Sequence, residues 1–273
     1  MMLRPVLLSF LLAVCSFFAS AAAPYVADSV LVIPPHTRSL PDRAFADRTD
    51  FHTVRFESPC SVSKIGEYAF MGCANLRQIS LPASLVSIGE GAFRECSSLA
   101  GIEIPKGVVK LPRYVFSWCS GLRRVILPSR LNDIGSGCFA YCEALEEITF
   151  PSVLKHVGAN AFSFCKSLVE VALPPSVVEL ESYAFSECVA LRSAVLPANR
   201  NLLGELIFSG CQNLERITCG SGVPPQFDCN STLFEDNEAF MYARCTLYVP
   251  AVAVEAYRKA HGWSLFEAIC PMP

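Results

Sequence analysis

Seven phenylalanines stand 23 residues apart: Phe70, Phe93, Phe116, Phe139, Phe162, Phe185 and Phe208. Cysteines follow each by three residues, at Cys73, Cys96, Cys119, Cys142, Cys165, Cys188 and Cys211. Leucines follow by three more, from Leu76 to Leu214, and prolines recur from Pro82 to Pro197 at the same step. Successive intervals carry no insertion. A unit this short cannot bury its apolar face alone, so equivalent units must stack and share one continuous core.

The interior of each unit says what the stacked element is. In "LRQISL" the residues Leu76, Ile79 and Leu81 end in alternation, the mark of a short strand with one buried face. In "SLVSIG" Leu85 and Ile88 point inward, and Gly89 reads as a turn residue. Pro82 lies between the two segments and cannot donate to a ladder, so it suits a corner. No unit holds a long helical pattern. The spacing predicts a mainly β repeat solenoid whose first segments pair as a parallel sheet. Seven or eight rungs at about 4.8 Å each would be roughly 35 Å long.

A weaker unit precedes the regular ones. Ile33-Pro34 and Phe45 keep the spacing of Pro82 and Phe93, with Phe51, Val54 and Phe56 in the places of Leu76, Ile79 and Leu81. Arg48 replaces the cysteine, and the next unit begins two residues late. A terminal repeat must face water on one side, so this reads as an N-terminal cap. We divide the chain into a leader at 1–21, a solenoid at 22–219 and a C-terminal cap at 220–273. Within the solenoid, 22–60 is the degraded first rung and 61–219 the regular array.

The leader follows from the N-terminus. Arg4 is the only charge before Asp28, an apolar run spans Val6 to Phe18, and "ASAAAP" follows. That order is a secretory signal peptide, with cleavage after Ala21 or Ala22. The run is short for a membrane span, and Val14 is a poor residue before a lipid-bearing Cys15. The mature chain is expected to be exported, with no membrane span. Composition agrees with a large core, at 52% hydrophobic and 17% charged. A net charge of −3 with no basic run argues against nucleic acid.

The unit CxxLxxIxLPxxLxxIGxxAFxx resembles the leucine-rich repeat of the Treponema pallidum type, also called BspA-like, over roughly residues 33–219. The resemblance implies a right-handed solenoid with a concave parallel sheet, and a secreted or surface-exposed, non-enzymatic protein of bacteria or some parasitic protists. It further implies protein binding, including adhesion to host matrix or plasma proteins. A periplasmic or envelope scaffold that meets self-encoded partners is the alternative. The segment "CTLYVPAVAVEAYRKAHGWSLFEAI" resembles the closing segment of such repeats. There Val252, Ala256 and Tyr257 would share one helical face, with Gly262 at the helix end.

Fourteen cysteines raise the question of metal or thiol chemistry. A step of 23 is no zinc spacing, and the sequence has no CxxC, GxSxG, HExxH or P-loop. No cofactor is implied. Cys142 and His156 could share a rung or neighbouring rungs, but a unique active site seldom uses a residue repeated seven times. In leucine-rich repeats this position carries a small inward side chain that satisfies backbone groups, and cysteine can serve so as a free buried thiol. Outside the ladder, Cys219–Cys229 and Cys245–Cys270 are the disulfides to test first. Asn230-Ser231-Thr232 is a glycosylation sequon that matters only in a eukaryote.

Two columns are candidates for binding. On the outer face of the first strand, Arg123 and Arg124 precede Glu146, Glu147 and Glu170 on the next rungs, beside Ile126. Mixed charge around small apolar residues suits a protein ligand, although it also describes a solvated sheet with cross-rung ion pairs. Directly before three successive ladder cysteines stand Trp118, Tyr141 and Phe164, where other rungs carry Gly72, Glu95, Glu187 and Gly210. Stacked aromatics at an edge are either a protein or sugar platform or a shield over the turn.

Overall fold

The computed structural model describes residues 23–198, 203–227, 232–235 and 240–273. The leader, Cys229 and the sequon's Asn230 lie outside them. The chain is a β-solenoid of about 10 turns with about 23 residues per turn. Three rows of hydrogen bonds run along the stack of rungs; the third continues where the first two are interrupted between the rungs of Ser87–Ile88 and Lys110–Leu111.

The first row is the expected parallel sheet. Arg124–Ile126 pairs with Gly101–Glu103 in register, Val125 beside Ile102, and Ser193–Leu196 pairs likewise with Glu170–Ala172 and Arg216–Cys219. The inward residues Val125, Val171, Ala194 and Ile217 are buried. The ladder breaks between Gln78–Ile79 and Gly101–Glu103, and it thins again at the rung where Glu147 keeps a single bridge, to Arg124. That rung carries Phe150 where its neighbours carry Leu127 and Leu173, and the larger ring packs edge-on against Phe162 at 5.6 Å.

A second parallel row comes from the shorter segments. Lys110–Leu111, Asp133–Ile134, His156–Val157 and Glu179–Leu180 stack in order. Here the glycine after the isoleucine has a different role from the one its sequence suggests. Gly89 is not in the left-handed region; a Cβ there would lie 2.5 Å from the Glu67 nitrogen. The rungs approach each other closely at this corner, and a side chain would push them apart.

The third row runs along the turn that contains phenylalanine and cysteine. Gly91, Phe93 and Glu95 donate their N–H groups to the carbonyls of Arg113, Val115 and Ser117, at 2.8 to 3.0 Å. Gly91 and Glu95 both have positive φ, at 56° and 64°. The same two positions are left-handed in rung after rung, at Tyr114 and Trp118, Gly137 and Tyr141, Asn160 and Phe164. Alternating backbone handedness turns every second N–H toward the next rung, so this compact turn leaves few orphan donors.

Between the rows runs the core. The phenylalanines from Phe45 to Phe208 are fully buried and stack ring on ring, with centroids 5.2 to 6.1 Å apart. Offset stacking at this distance suits the quadrupoles of the rings and adds to the burial of their area.

Both ends differ from a bare repeat. At the N-terminus Tyr25–Ala27 folds back antiparallel on Val30–Ile33, so the first strand has a partner on its outer edge. Arg48, at the lost cysteine position, forms an ion pair with Asp50 at 2.6 Å. Its hydrogen bond holds the Asp50 carboxyl below the usual value.

At the C-terminus the solenoid is longer than the 23-residue spacing counts. Thr246–Val249 and Ile269–Pro271 join the first sheet in parallel after Arg216–Cys219. These strands lack the Phe and Cys marks; the first keeps the repeat's proline place at Pro250 and the alternation that buries Leu247 and Val249. The cap helix also corrects the expected face. A 3-10 turn at Ala251–Ala253 follows Pro250 and shifts the phase of helix Val254–Tyr257. Ala253 and Tyr257 therefore point inward, while Val252 is 94% exposed and Ala256 faces solvent. Gly262 ends the segment with φ 73°. Trp263 is fully buried and donates its indole N–H to the Pro225 carbonyl at 2.8 Å.

Candidate functional site

The three aromatic side chains meet as a stack. Trp118 and Tyr141 lie with centroids 3.9 Å apart and planes within 7°, and Tyr141 and Phe164 follow at 4.4 Å and 5°. Trp118 is 45% exposed, whereas Tyr141 and Phe164 are half-buried. All three have φ between 60° and 63°. A bulky L-residue in that region is uncommon, and the left-handed conformation costs roughly 1–2 kcal/mol. Gly72 and Gly210 occupy the same position at φ 70° and 75° without that cost. Three consecutive central rungs thus hold bulky rings where glycine would be cheaper.

Sequence reasoning found these three and their neighbours Glu95 and Glu187. It missed Asp47, which holds the equivalent position in the first rung with φ 61°. The two-residue insertion after that rung hides the alignment. The left-handed backbone had only a faint signal, the glycines in two copies.

The charged residues lie five and six positions further along each rung. Arg123 pairs with Glu146 at 3.6 Å, both side chains well exposed. Arg124 and Glu147 are opposed through their backbone bridge, and Glu170 follows on the next rung. Arg192 and Glu215 repeat the cross-rung pairing at 3.9 Å. Ile126 and Val195 are 42% and 40% exposed on the same face. Exposed ion pairs at these distances contribute little to stability. They give the face a fixed pattern of both signs around apolar spots.

The cysteine ladder is a packing device. Each Sγ points at the phenylalanine carbonyl of the preceding rung, from Cys73 to Phe45 at 3.1 Å through Cys211 to Phe185 at 3.1 Å. The central pair, Cys142 and Phe116, sits at 3.2 Å. All seven are buried and none is in a disulfide. Burial pushes the Cys73 thiol up to about 12, and Cys96, Cys142 and Cys165 are also raised. His156 is on the second row, with Nδ1 2.8 Å from Glu179 at the surface, so it does not meet the inward Cys142. Among the described residues no group of three or more His, Cys, Asp or Glu could hold a metal ion.

The cap cysteines correct one expected pairing. Cys245 and Cys270 are free thiols. The register sets Cys270 opposite Tyr248, three residues along from Cys245 and so roughly 10 Å away, beyond disulfide reach. Cys219 receives a hydrogen bond from the Tyr257 hydroxyl at 3.1 Å, and its suggested partner Cys229 is outside the described residues. Alkylation of the native protein at pH 8 should label half-buried Cys60 and Cys270 first and leave the ladder untouched until urea unfolds it. A fast-reacting ladder cysteine, read by peptide mass, would contradict the packing role.

The sequence matches the family model described as "BspA type Leucine rich repeat region" in six copies, over residues 38–165 and 132–235. Among solved structures it is similar to a leucine-rich repeat protein of T. pallidum, at 27% identity and TM-score 0.46, covering 78% of this chain and 84% of that one. It is similar to a leucine-rich cell surface protein from Faecalibacterium prausnitzii at 23% identity and TM-score 0.45, covering 91% and 80%. A leucine-rich repeat protein from Bacteroides ovatus gives 21% identity and TM-score 0.46, covering 92% and 75%. No curated protein matches the chain.

Proposed function

The chain belongs to the BspA-type leucine-rich repeat family, and from that premise we propose that it is an exported, surface-exposed, non-enzymatic protein that binds other proteins through its central rungs. The observation that carries this reading is the aromatic stack of Trp118, Tyr141 and Phe164, held half-open in a costly backbone conformation. Strained residues persist where the surrounding structure enforces them, and they cluster at sites of function. Rigid aromatics bring large contact area at low entropic cost, and they are enriched among interface hot spots.

The neighbouring charged face supports the same reading. Arg123, Arg124, Glu146, Glu147 and Glu170 present both signs, so the partner is a folded protein of mixed charge, such as a host matrix or envelope protein. The leader at 1–21 supports export. The F. prausnitzii structure is of a protein described as a cell surface protein, and location at the surface is the reading we adopt here. Among the described residues no helix is long and apolar enough to cross a membrane.

The experiment is a pull-down of host and envelope proteins with the mature chain, followed by surface labelling of intact cells. We expect the protein to be labelled from outside. Reversing Arg123 and Arg124 to glutamate is expected to weaken the captured partner roughly tenfold or more. Protection from labelling would favour a periplasmic scaffold, and unchanged capture by the double variant would remove the central face from the site.

A further inference from the structure

The aromatic stack has two ends, and they differ. Tyr141 covers one face of Trp118. On the other side the preceding rungs carry Glu95 and Gly72 instead of rings. There the surface opens into a groove of about 640 Å³, lined by Trp118 and Gly72 with Asp47, Arg94, Glu95, Ser97 and Ser120. Gly72 helps to keep it open, since its position would otherwise carry a side chain like those of the other rungs.

We propose that this groove is a saccharide site in which a pyranose ring stacks on the exposed part of Trp118, on the side turned away from Tyr141. The wall chemistry favours a sugar. A pyranose has one apolar C–H face and a rim of hydroxyls that both donate and accept. The indole offers the matching flat surface, already braced from behind by two stacked rings. Around it stand carboxylates that accept, a guanidinium that donates, and hydroxyls that do both. Arg94 and Glu95 hold each other at 3.0 Å, which fixes a donor and an acceptor side by side.

The same walls disfavour other ligands. Two carboxylates, Asp47 and Glu95, oppose a polyanion. Apart from Trp118 and Ala74 the lining has no apolar side chain, so an aliphatic anchor of a peptide would find no pocket. None of Arg123, Arg124, Glu146, Glu147 and Glu170 lines the groove, which shares Trp118 with the aromatic stack read above as a protein platform.

The test uses the purified protein with glucose, galactose, mannose, fucose and N-acetylglucosamine as probes. Trp118 is half-exposed and Trp263 is fully buried, so acrylamide quenching of tryptophan emission reports on Trp118. At least one of these sugars should protect the emission saturably. Trp118→Gly, a residue two other rungs accept at this position, should weaken binding measured by calorimetry roughly tenfold or more. Asp47→Asn should weaken it several-fold, and Glu187→Gln, beyond the far end of the stack, should leave it unchanged. No protection by any of the sugars, or binding that survives Trp118→Gly in the folded protein, would overturn the proposal. Either outcome would leave protein capture through Arg123 and Arg124 standing.

Discussion

Replacing Phe139 with alanine is expected to lower the unfolding free energy by about 3–5 kcal/mol, the range for removing a buried aromatic ring. Phe139 stacks on Phe116 at 5.4 Å and Phe162 at 5.2 Å, with no exposed surface. Its neighbours are fixed to adjacent rungs by hydrogen bonds along the second segments and the phenylalanine–cysteine turn, so they cannot collapse into the space. The loss falls in the middle of a nearest-neighbour array, and it weakens two interfaces at once. Urea unfolding should show a lower midpoint, and a broken unfolding transition if the halves on either side separate. A change under about 1 kcal/mol would mean that the phenylalanine column is not the spine of the fold.

Trp263→Ala should cost about as much, roughly 3–5 kcal/mol locally, but with a different signature. Trp263 is fully buried in the cap, where its ring meets Tyr257 and Phe227 at 5.2 Å and its N–H holds the Pro225 carbonyl. Removing it leaves that carbonyl without its donor and unseats the last two strands. The damage sits at one end, so central rungs should keep their hydrogen-exchange protection while the amides at 246–249, 269 and 270 lose theirs. Loss of protection along the whole chain would show instead that the cap is required to fold the array. Wild-type exchange at the C-terminal end would show that Trp263 does not hold the cap.

The contrast between those variants reflects what could be read from sequence. Phe70 to Phe208 and Cys73 to Cys211 announce themselves because each sits at the same place in every rung, and stacking identical positions produces a column. The aromatic triad was legible for the same reason. Features that depend on local backbone were not. Nothing in Trp118 or Tyr141 as residue types signals a left-handed φ, which most bulky side chains avoid. Gly89 looked like a turn residue, but it is needed by a neighbouring backbone 2.5 Å from where its Cβ would be. The strands at Thr246–Val249 and Ile269–Pro271 escaped because they continue the sheet off the 23-residue step and without the Phe and Cys marks, although Pro250 keeps the proline's place. Val252 escaped because a short 3-10 turn after Pro250 resets the helical phase.

The site is legible to a lesser depth. Column arithmetic places Arg123 near Glu146, and the structure brings them to 3.6 Å. It could not show that Trp118 closes one end of a groove, because Asp47 is displaced by the two-residue insertion between the first and second rungs.

The central claim is that the middle rungs are the binding surface, and hydroxyl-radical footprinting tests it most directly. Trp118, Tyr141 and Phe164 are reactive side chains already partly open to solvent, so the free protein supplies its own baseline. With the captured protein partner bound, oxidation at these three and at the exposed Ile126 should fall together, while exposed Val252 and Tyr25 in the caps stay unchanged. Protection confined to the caps, with Trp118 and Tyr141 oxidised as in the free protein, would contradict the account.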